Sequence, residues 1–243
     1  MGGKNGRSTL VGLVAAAMLV LSVSGCVFTS RAGKLQTESE TIELDGAETV
    51  SVGLRMGAGG LTLSGGADAL AEAEFAYNVA DWEPMIDYVV GGDQGELWIE
   101  QPEVGRLGLE SYRYEWDIRL RDDVPMTLDV GLGAGESKLD VSALSISELD
   151  LNVGVGGVEV DLTGDREQDV DVTIRGGVGE ATVLLPQDVG VRARVDGGLG
   201  EVDARGLTAQ DGVYVNEAYG ESDATITLSI EGGIGGVTLK VVE

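Results

Sequence analysis

The chain has no histidine and a single cysteine in 243 residues. It therefore lacks the commonest general base at neutral pH and the commonest transition-metal ligand. One cysteine excludes an internal disulfide, a cysteine zinc cluster and a Cys–His dyad. Proline is scarce, with 4 residues against 39 glycines, which suits glycine at corners rather than a disordered Pro/Gly tract. Aromatics make up only 5%, too few for a large sandwich core, so small aliphatics must fill a narrow interior. Basic residues are also few: 16 Lys and Arg face 42 Asp and Glu, a net charge of −26. Such an anion repels nucleic acid and anionic lipid surfaces. Solvated acids on the outer face of strands account for most of it, and they discourage edge pairing. Helical periodicity is nearly missing, with a turn or two at most over 67–76 and 144–149.

What is present is a phrase repeated six times: an alternating strand, a Gly–apolar–Gly corner, and a second alternating strand. The corners are Gly57-Ala58-Gly59, Gly133-Ala134-Gly135, Gly154-Val155-Gly156, Gly177-Val178-Gly179, Gly198-Leu199-Gly200 and Gly233-Ile234-Gly235. Two residues past each second glycine stand Leu61, Ser137, Val158, Ala181, Val202 and Val237; four past it stand Leu63, Leu139, Val160, Val183, Ala204 and Leu239. The residue between is always polar: Thr62, Lys138, Glu159, Thr182, Asp203 and Thr238. Period-2 alternation in register means one buried and one wet strand face. The middle four second glycines lie 21, 23 and 21 residues apart, too close for βαβ units of about 30 residues. The spacing predicts an all-β, single-stranded β-solenoid (β-helix) with rungs of about 21 residues, stacked in chain order because no single copy can bury its own apolar face. Glycine lets the chain turn without striking the rung above, ~4.8 Å away. The apolar residue inside each corner is expected to enter the core.

Two chemical readings of the glycines fail. A dinucleotide fingerprint needs a helix after the glycines and an acid about 20 residues on; here strand sequence follows. A calcium-binding nonapeptide repeat needs an acid at a fixed place, but Gly197-Gly198-Leu199-Gly200-Glu201-Val202-Asp203 puts it one position late. No metal and no cofactor is expected.

Residues 1–25 read as an export signal: basic Lys4 and Arg7, an apolar run Leu10–Val23, then Val23-Ser24-Gly25-Cys26. The ending resembles a bacterial lipobox, which implies cleavage before Cys26 and a lipid on its thiol. The apolar run is short for a span, which wants about 20 residues. Two or more acyl chains would anchor the chain stably. Residues 26–41 would be a polar tether and 42–243 the solenoid. Lys4 and Arg7 are the only charges before Cys26, so the chain without its leader is two units more negative.

Between residues 70 and 125 the rhythm breaks and the aromatics gather: Trp82, Trp98, Trp116, Tyr77, Tyr88, Tyr112 and Tyr114. Strands are expected at Ala71–Tyr77, Met85–Val90, Glu96–Glu100 and Tyr112–Leu120, as an antiparallel cap over the first rung's open edge. Trp82, Trp98 and Trp116 are at the same time candidate ligand-binding aromatics, since exposed rings stack on sugars. Glu115, Asp117, Asp122 and Asp123 form the one acidic cluster that invites a polysaccharide-cleaving reading. However, alternation of Tyr112, Tyr114, Trp116, Ile118 and Leu120 reads as the buried face and points Glu115 and Asp117 outward, and with 42 acidic residues clusters arise by chance. A second interruption, 207–223, is expected as a loop excursion.

With these features, residues 42–243 resemble the bacterial toast-rack proteins, related to the extracytoplasmic part of the cell-wall-active antibiotic response regulators. The likeness rests on Leu128-Asp129-Val130-Gly131-Leu132-Gly133-Ala134-Gly135, on Ile174-Arg175-Gly176-Gly177-Val178-Gly179, on the Tyr214…Tyr219 segment and on Ile230-Glu231-Gly232-Gly233-Ile234-Gly235. The resemblance implies a β-solenoid and supplies no catalytic residues. The chain departs from the regulators in having a lipid-anchor signal where they have membrane spans. The expectation is an exported lipoprotein, fixed through Cys26 to the cell membrane or outer membrane. Its role would be structural, adhesin-like or stress-responsive, without catalysis. Its partners would be the membrane and an envelope polysaccharide or protein. A carbohydrate-binding or sensing module is the alternative, and a polysaccharide-cleaving enzyme the second.

Overall fold

The computed structural model describes residues 29–30, 32–102, 106–107 and 112–242. In chain order the strands are β1 (Thr29–Ser30), β2 (Gln36–Ile42), β3 (Thr49–Ser64), β4 (Ala71–Tyr77), β5 (Met85–Gly91), β6 (Gln94–Glu100), β7 (Arg106–Leu107), β8 (Tyr114–Leu120) and β9 (Met126–Asp140). They continue as β10 (Ile146–Asp161), β11 (Val170–Pro186), β12 (Gly190–Leu199), β13 (Val202–Arg205), β14 (Thr208–Gln210), β15 (Val213–Val215), β16 (Thr225–Ile234) and β17 (Val237–Val242). A single 3-10 turn, Ala80–Trp82, is the only helical element among the described residues.

Each rung is a strand bent at its glycine corner into two arms. β3, β9, β10 and β11 carry both arms; the other rungs are β12 with β13 and β16 with β17. Neighbouring rungs pair in parallel, corner upon corner: Gly59↔Gly135 and Gly156↔Gly179. At the second glycine the backbone turns into the left-handed half of conformational space, with φ +143° at Gly156. A Cβ added there would stand 1.7 Å from the Gly135 carbonyl oxygen, so only glycine fits. Inner positions are buried as the alternation requires: Leu63, Leu139, Val160, Val183 and Leu239 are each fully covered. After the second arm an acid turns the chain: Asp140 accepts from Ser142 N (3.1 Å) and Asp161 from Thr163 N (2.9 Å), the local bonding that aspartate favours in turns.

The rungs do not stack in chain order. β11 pairs with β16 and β17 (Arg175↔Glu231, Ala181↔Val237), and β12 and β13 lie outside them (Asp196↔Glu231, Val202↔Val237). The rung nearest the C-terminus is thus threaded between two rungs formed earlier in the sequence. Arg175 adjoins Asn152 and Glu231, not Asp196. The corner residues also differ from expectation. Ala134 is exposed, and Val155 and Val178 keep 53% and 49% of their surface open. The reason is parity: Val153 and Val158 both face inward, an odd five residues apart, so the corner interrupts the alternation.

The 70–125 insertion builds an interrupted rung before it builds a cap. β6 lies parallel on the first arm of β3 (Val52↔Leu97), and β8 lies parallel on the second (Leu61↔Trp116). Where their corner would be, Gln101 reaches back, and its Oε1 accepts from Gly57 N at 2.6 Å and Ala58 N at 3.0 Å. Antiparallel strands then cover both arms: β5 on β6, and β4 followed by β2 on β8. β2 begins at Gln36, so folded structure enters the expected tether. At the opposite end the 207–223 segment is partly a hairpin. β14 and β15 pair with each other, and β15 with β12. Asn216 locks it: its Oδ1 accepts from Val191 N (2.9 Å), and its Nδ2 donates to the carbonyls of Val189 (2.7 Å) and Pro186 (3.2 Å).

Candidate functional site

The tryptophans do not form one platform. Trp116 is 1% exposed, its ring edge-to-face with Phe75 (5.5 Å) and Tyr114 (5.7 Å). Trp82 is 3% exposed and packs on Tyr112 (5.4 Å) and Tyr114 (5.3 Å). These two meet through Tyr114 as the core of the cap, where such ring pairs add about 0.5–1.5 kcal/mol each. Burial pushes the Tyr114 phenol above its ordinary pKa. Tyr77 is pushed up to about 12, first by burial and then by its 2.9 Å bond to Glu38. Trp98 belongs to the other arm and is half-buried. Its ring lies over Gly53, where an added Cβ would come within 2.2 Å. Arg55 holds its guanidinium 5.0 Å from the ring centroid while also pairing with Asp129. Cys26 lies outside the described residues.

The acids near the cap are engaged one by one. Glu115 pairs with Arg113 at 2.7 Å, Asp122 accepts from Gly66 N at 2.8 Å, and Asp123 pairs with Arg121 at 2.6 Å. The bond from Arg121 holds the Asp123 carboxyl below its ordinary pKa. Glu115 and Asp117 face outward on β8. Among the described residues no group of three or more Asp, Glu, Cys or His is placed to hold a metal ion.

The feature missed in the sequence is on the outer wall of the second arm, one residue past each corner. Glu115 and Glu136 flank Gly60, and Gly157 pairs with Glu180. Continuing the register of Ala181, Val237 and Val202, Glu180 adjoins Gly236, and Gly236 adjoins Glu201. Along the stack the column therefore reads Glu115, Gly60, Glu136, Gly157, Glu180, Gly236, Glu201. Glu136 leans over its glycine so closely that a Cβ at Gly157 would stand 2.2 Å from its Oε2. Stacking in chain order would have set Glu180 directly beside Glu201, a destabilising like-charge pair. Threading the last rung between them restores alternation and spaces the carboxylates ~9.6 Å apart, two strand separations and about one Debye length. Beside this column Lys138 and Glu159 pair at 2.9 Å. On the first arm Arg175 bridges Asp150 (3.1 Å) and Glu231 (3.4 Å). The wall is thus an ordered, mostly acidic surface carried on a rigid stack.

Two family models match the chain: the N-terminal domain of toast_rack over residues 31–184, and the C-terminal domain of the cell wall-active antibiotics response protein LiaF over residues 133–239. The crystal structure of a candidate cell adhesion protein from Clostridium sporogenes is 38% identical, covers 86% of this chain and 100% of its own, and superposes with a TM-score of 0.84. A candidate adhesin from Bacteroides fragilis covers 88% of this chain and 99% of its own, at 10% identity and a TM-score of 0.34. No curated protein matches. Family model and structural relative agree over most of the described residues, and the chain belongs to the toast-rack family.

Proposed function

We propose that this protein is a lipid-anchored, non-catalytic envelope protein that presents its solenoid wall to a binding partner. The likeness to the Clostridium sporogenes candidate adhesion protein, over the whole of that protein, carries this reading. Anchoring is supported by the lipobox-like Val23-Ser24-Gly25-Cys26. No helix among the described residues is long and apolar enough to cross a membrane. β1 and β7 pair in a two-stranded sheet of their own; the first strand of the main sheet, β2, begins at Gln36 on the cap, about ten residues after Cys26, a reach of up to roughly 35 Å. Entry of the chain on the cap side supports a capped end nearer the bilayer than the β12–β15 end.

Two measurements test the reading. Cys26→Ser should leave an unprocessed precursor that takes up no labelled fatty acid; normal maturation of that variant would remove the anchor. Beads coated with the purified domain should adhere to envelope fragments of the host or of neighbouring cells. Adhesion should fall several-fold when Glu136, Glu180 and Glu201 are all changed to Gln, and adhesion unchanged by those substitutions would remove the wall from the mechanism. The match to the antibiotic-response domain over residues 133–239 favours a second reading, participation in the response to cell-wall damage. A gene deletion that alters sensitivity to cell-wall-active antibiotics without altering adhesion would select it.

A further inference from the structure

The inner position just before each corner changes character halfway along the stack. In the first three rungs it holds Met56, Leu132 and Val153, all buried. In register with them, the last three rungs hold Gly176, Gly232 and Gly197. These three are unlike the corner glycines. None has a left-handed φ, and a Cβ added to any of them would meet nothing within 4 Å. Neither backbone conformation nor steric crowding calls for glycine there, and the consequence is empty space. A cleft of about 180 Å³ opens inside the corner, floored by Ile174, Ile230, Val158 and Val237. It extends to the last rung at Gly197, Gly200 and Val202, and two of its lining residues, Val178 (49%) and Val202 (37%), are exposed. Among the described residues no strand covers β13 beyond its pairing with β17, whereas β12 is covered by β15.

At roughly 30 Å³ per group the cleft holds about six groups the size of a methylene. An apolar cavity of this size in a stacked core favours an apolar guest over water. The charged side chains on its rim are both acidic, Glu180 and Glu201, with no Lys or Arg among the lining residues. An anionic head group would be repelled there and a cationic one attracted. We propose that this cleft binds the alkyl chain of an amphiphile with a cationic head group, tail among the stacked glycines and head at Glu180 and Glu201. The cleft shares Glu180 and Glu201 with the outer wall, but its tail site lies inside the corner, which Gly232→Val alone alters; failure at that position would leave the adhesive reading untouched.

The test is calorimetric titration of the purified domain with octyltrimethylammonium and with octyl sulfate, both below micelle formation. The cationic probe should bind saturably, one per chain, and at least ten-fold more tightly than the anionic one. Gly232→Val fills the centre of the cleft with a side chain no larger than those of the equivalent rungs. It should keep the circular dichroism spectrum and urea midpoint of the parent while weakening binding more than ten-fold. The Glu180→Gln, Glu201→Gln double variant should retain the tail site but narrow the preference between heads to within about three-fold. The proposal is overturned by any one of three results: no saturable binding, undiminished binding by Gly232→Val, or equal affinity of the parent for the two probes.

Discussion

The threading of the last rung makes a sharp prediction about distances. Arg175, Glu231 and Asp196 all face outward on the first arm and occupy consecutive rungs in that order. Adjacent positions lie ~4.8 Å apart between Cα atoms, and next-but-one positions ~9.6 Å. A disulfide accepts roughly 4.4–6.8 Å and fails beyond about 7 Å. In a chain begun after Cys26, the pairs Arg175→Cys with Glu231→Cys, and Glu231→Cys with Asp196→Cys, should therefore oxidise readily. The pair Arg175→Cys with Asp196→Cys should not. Removing the charges costs little, since the Arg175 pairs are half-exposed and worth about 0.2–1 kcal/mol. The closed loops of about 56 and 35 residues would each stabilise the fold by up to about 4 kcal/mol on the chain-entropy model, less any strain. Non-reducing gels, peptide mapping and urea midpoints read out all three variants. If the 175–196 pair closes while the pairs through 231 stay reduced, the rungs stack in chain order and the threaded topology is wrong.

Other expectations follow from burial and contact. Val160→Asp puts an unpaired carboxylate into a fully covered column and should cost several kcal/mol. Its neighbour Glu159→Gln, on the wet face, should lose only the exposed pair with Lys138 and stay within about 0.5 kcal/mol; equal shifts in their urea midpoints would refute the inward–outward assignment. Gly156→Ala, with its Cβ driven into the Gly135 carbonyl, should cost on the order of 3 kcal/mol or more; a thermal midpoint matching the parent would contradict the corner geometry. Asn216→Ala strips partners from buried backbone groups at Val189 and Val191 and should cost about 2–4 kcal/mol. Hydrogen exchange should show that loss concentrated in β12, β14 and β15, and uniform loosening would argue against the lock.

Much of this architecture is legible in the sequence because a solenoid repeats its constraints. The corner glycines and the alternation through Leu139, Val160 and Val183 arise from stacking rules that every rung must satisfy. Rung order is a different matter. Copies with the same pattern are interchangeable in any permutation, so 21-residue spacing says nothing about which copy adjoins which. The hint lay in charge: Glu180 and Glu201 would collide as neighbours, whereas Gly236 between them completes an alternation. Corner residues such as Val155 escaped because period-2 reasoning assumes an unbroken strand, and the bend shifts parity by one. The tryptophan cluster was equally ambiguous, since an aromatic-rich insertion reads alike as cap or platform until its neighbours are known. Burial of Trp116 of β8 against Phe75 of β4, and of Trp82 against Tyr114, is a tertiary fact.

The threaded rung also orders events in time. A chain synthesised amino end first can stack β3, β9, β10 and β11 as each is delivered. The next segment, β12 and β13, finds its site on the growing end held open for a strand pair not yet delivered. It must wait, with the apolar faces of Val191, Ala193 and Val195 unsatisfied, until β16 and β17 slide in beneath it. The long-range pairing is slow by nature, and the waiting intermediate exposes strand edges that invite aggregation or proteolysis. A product cut short before residues 225–242 is therefore expected to lose two stacked rungs rather than one.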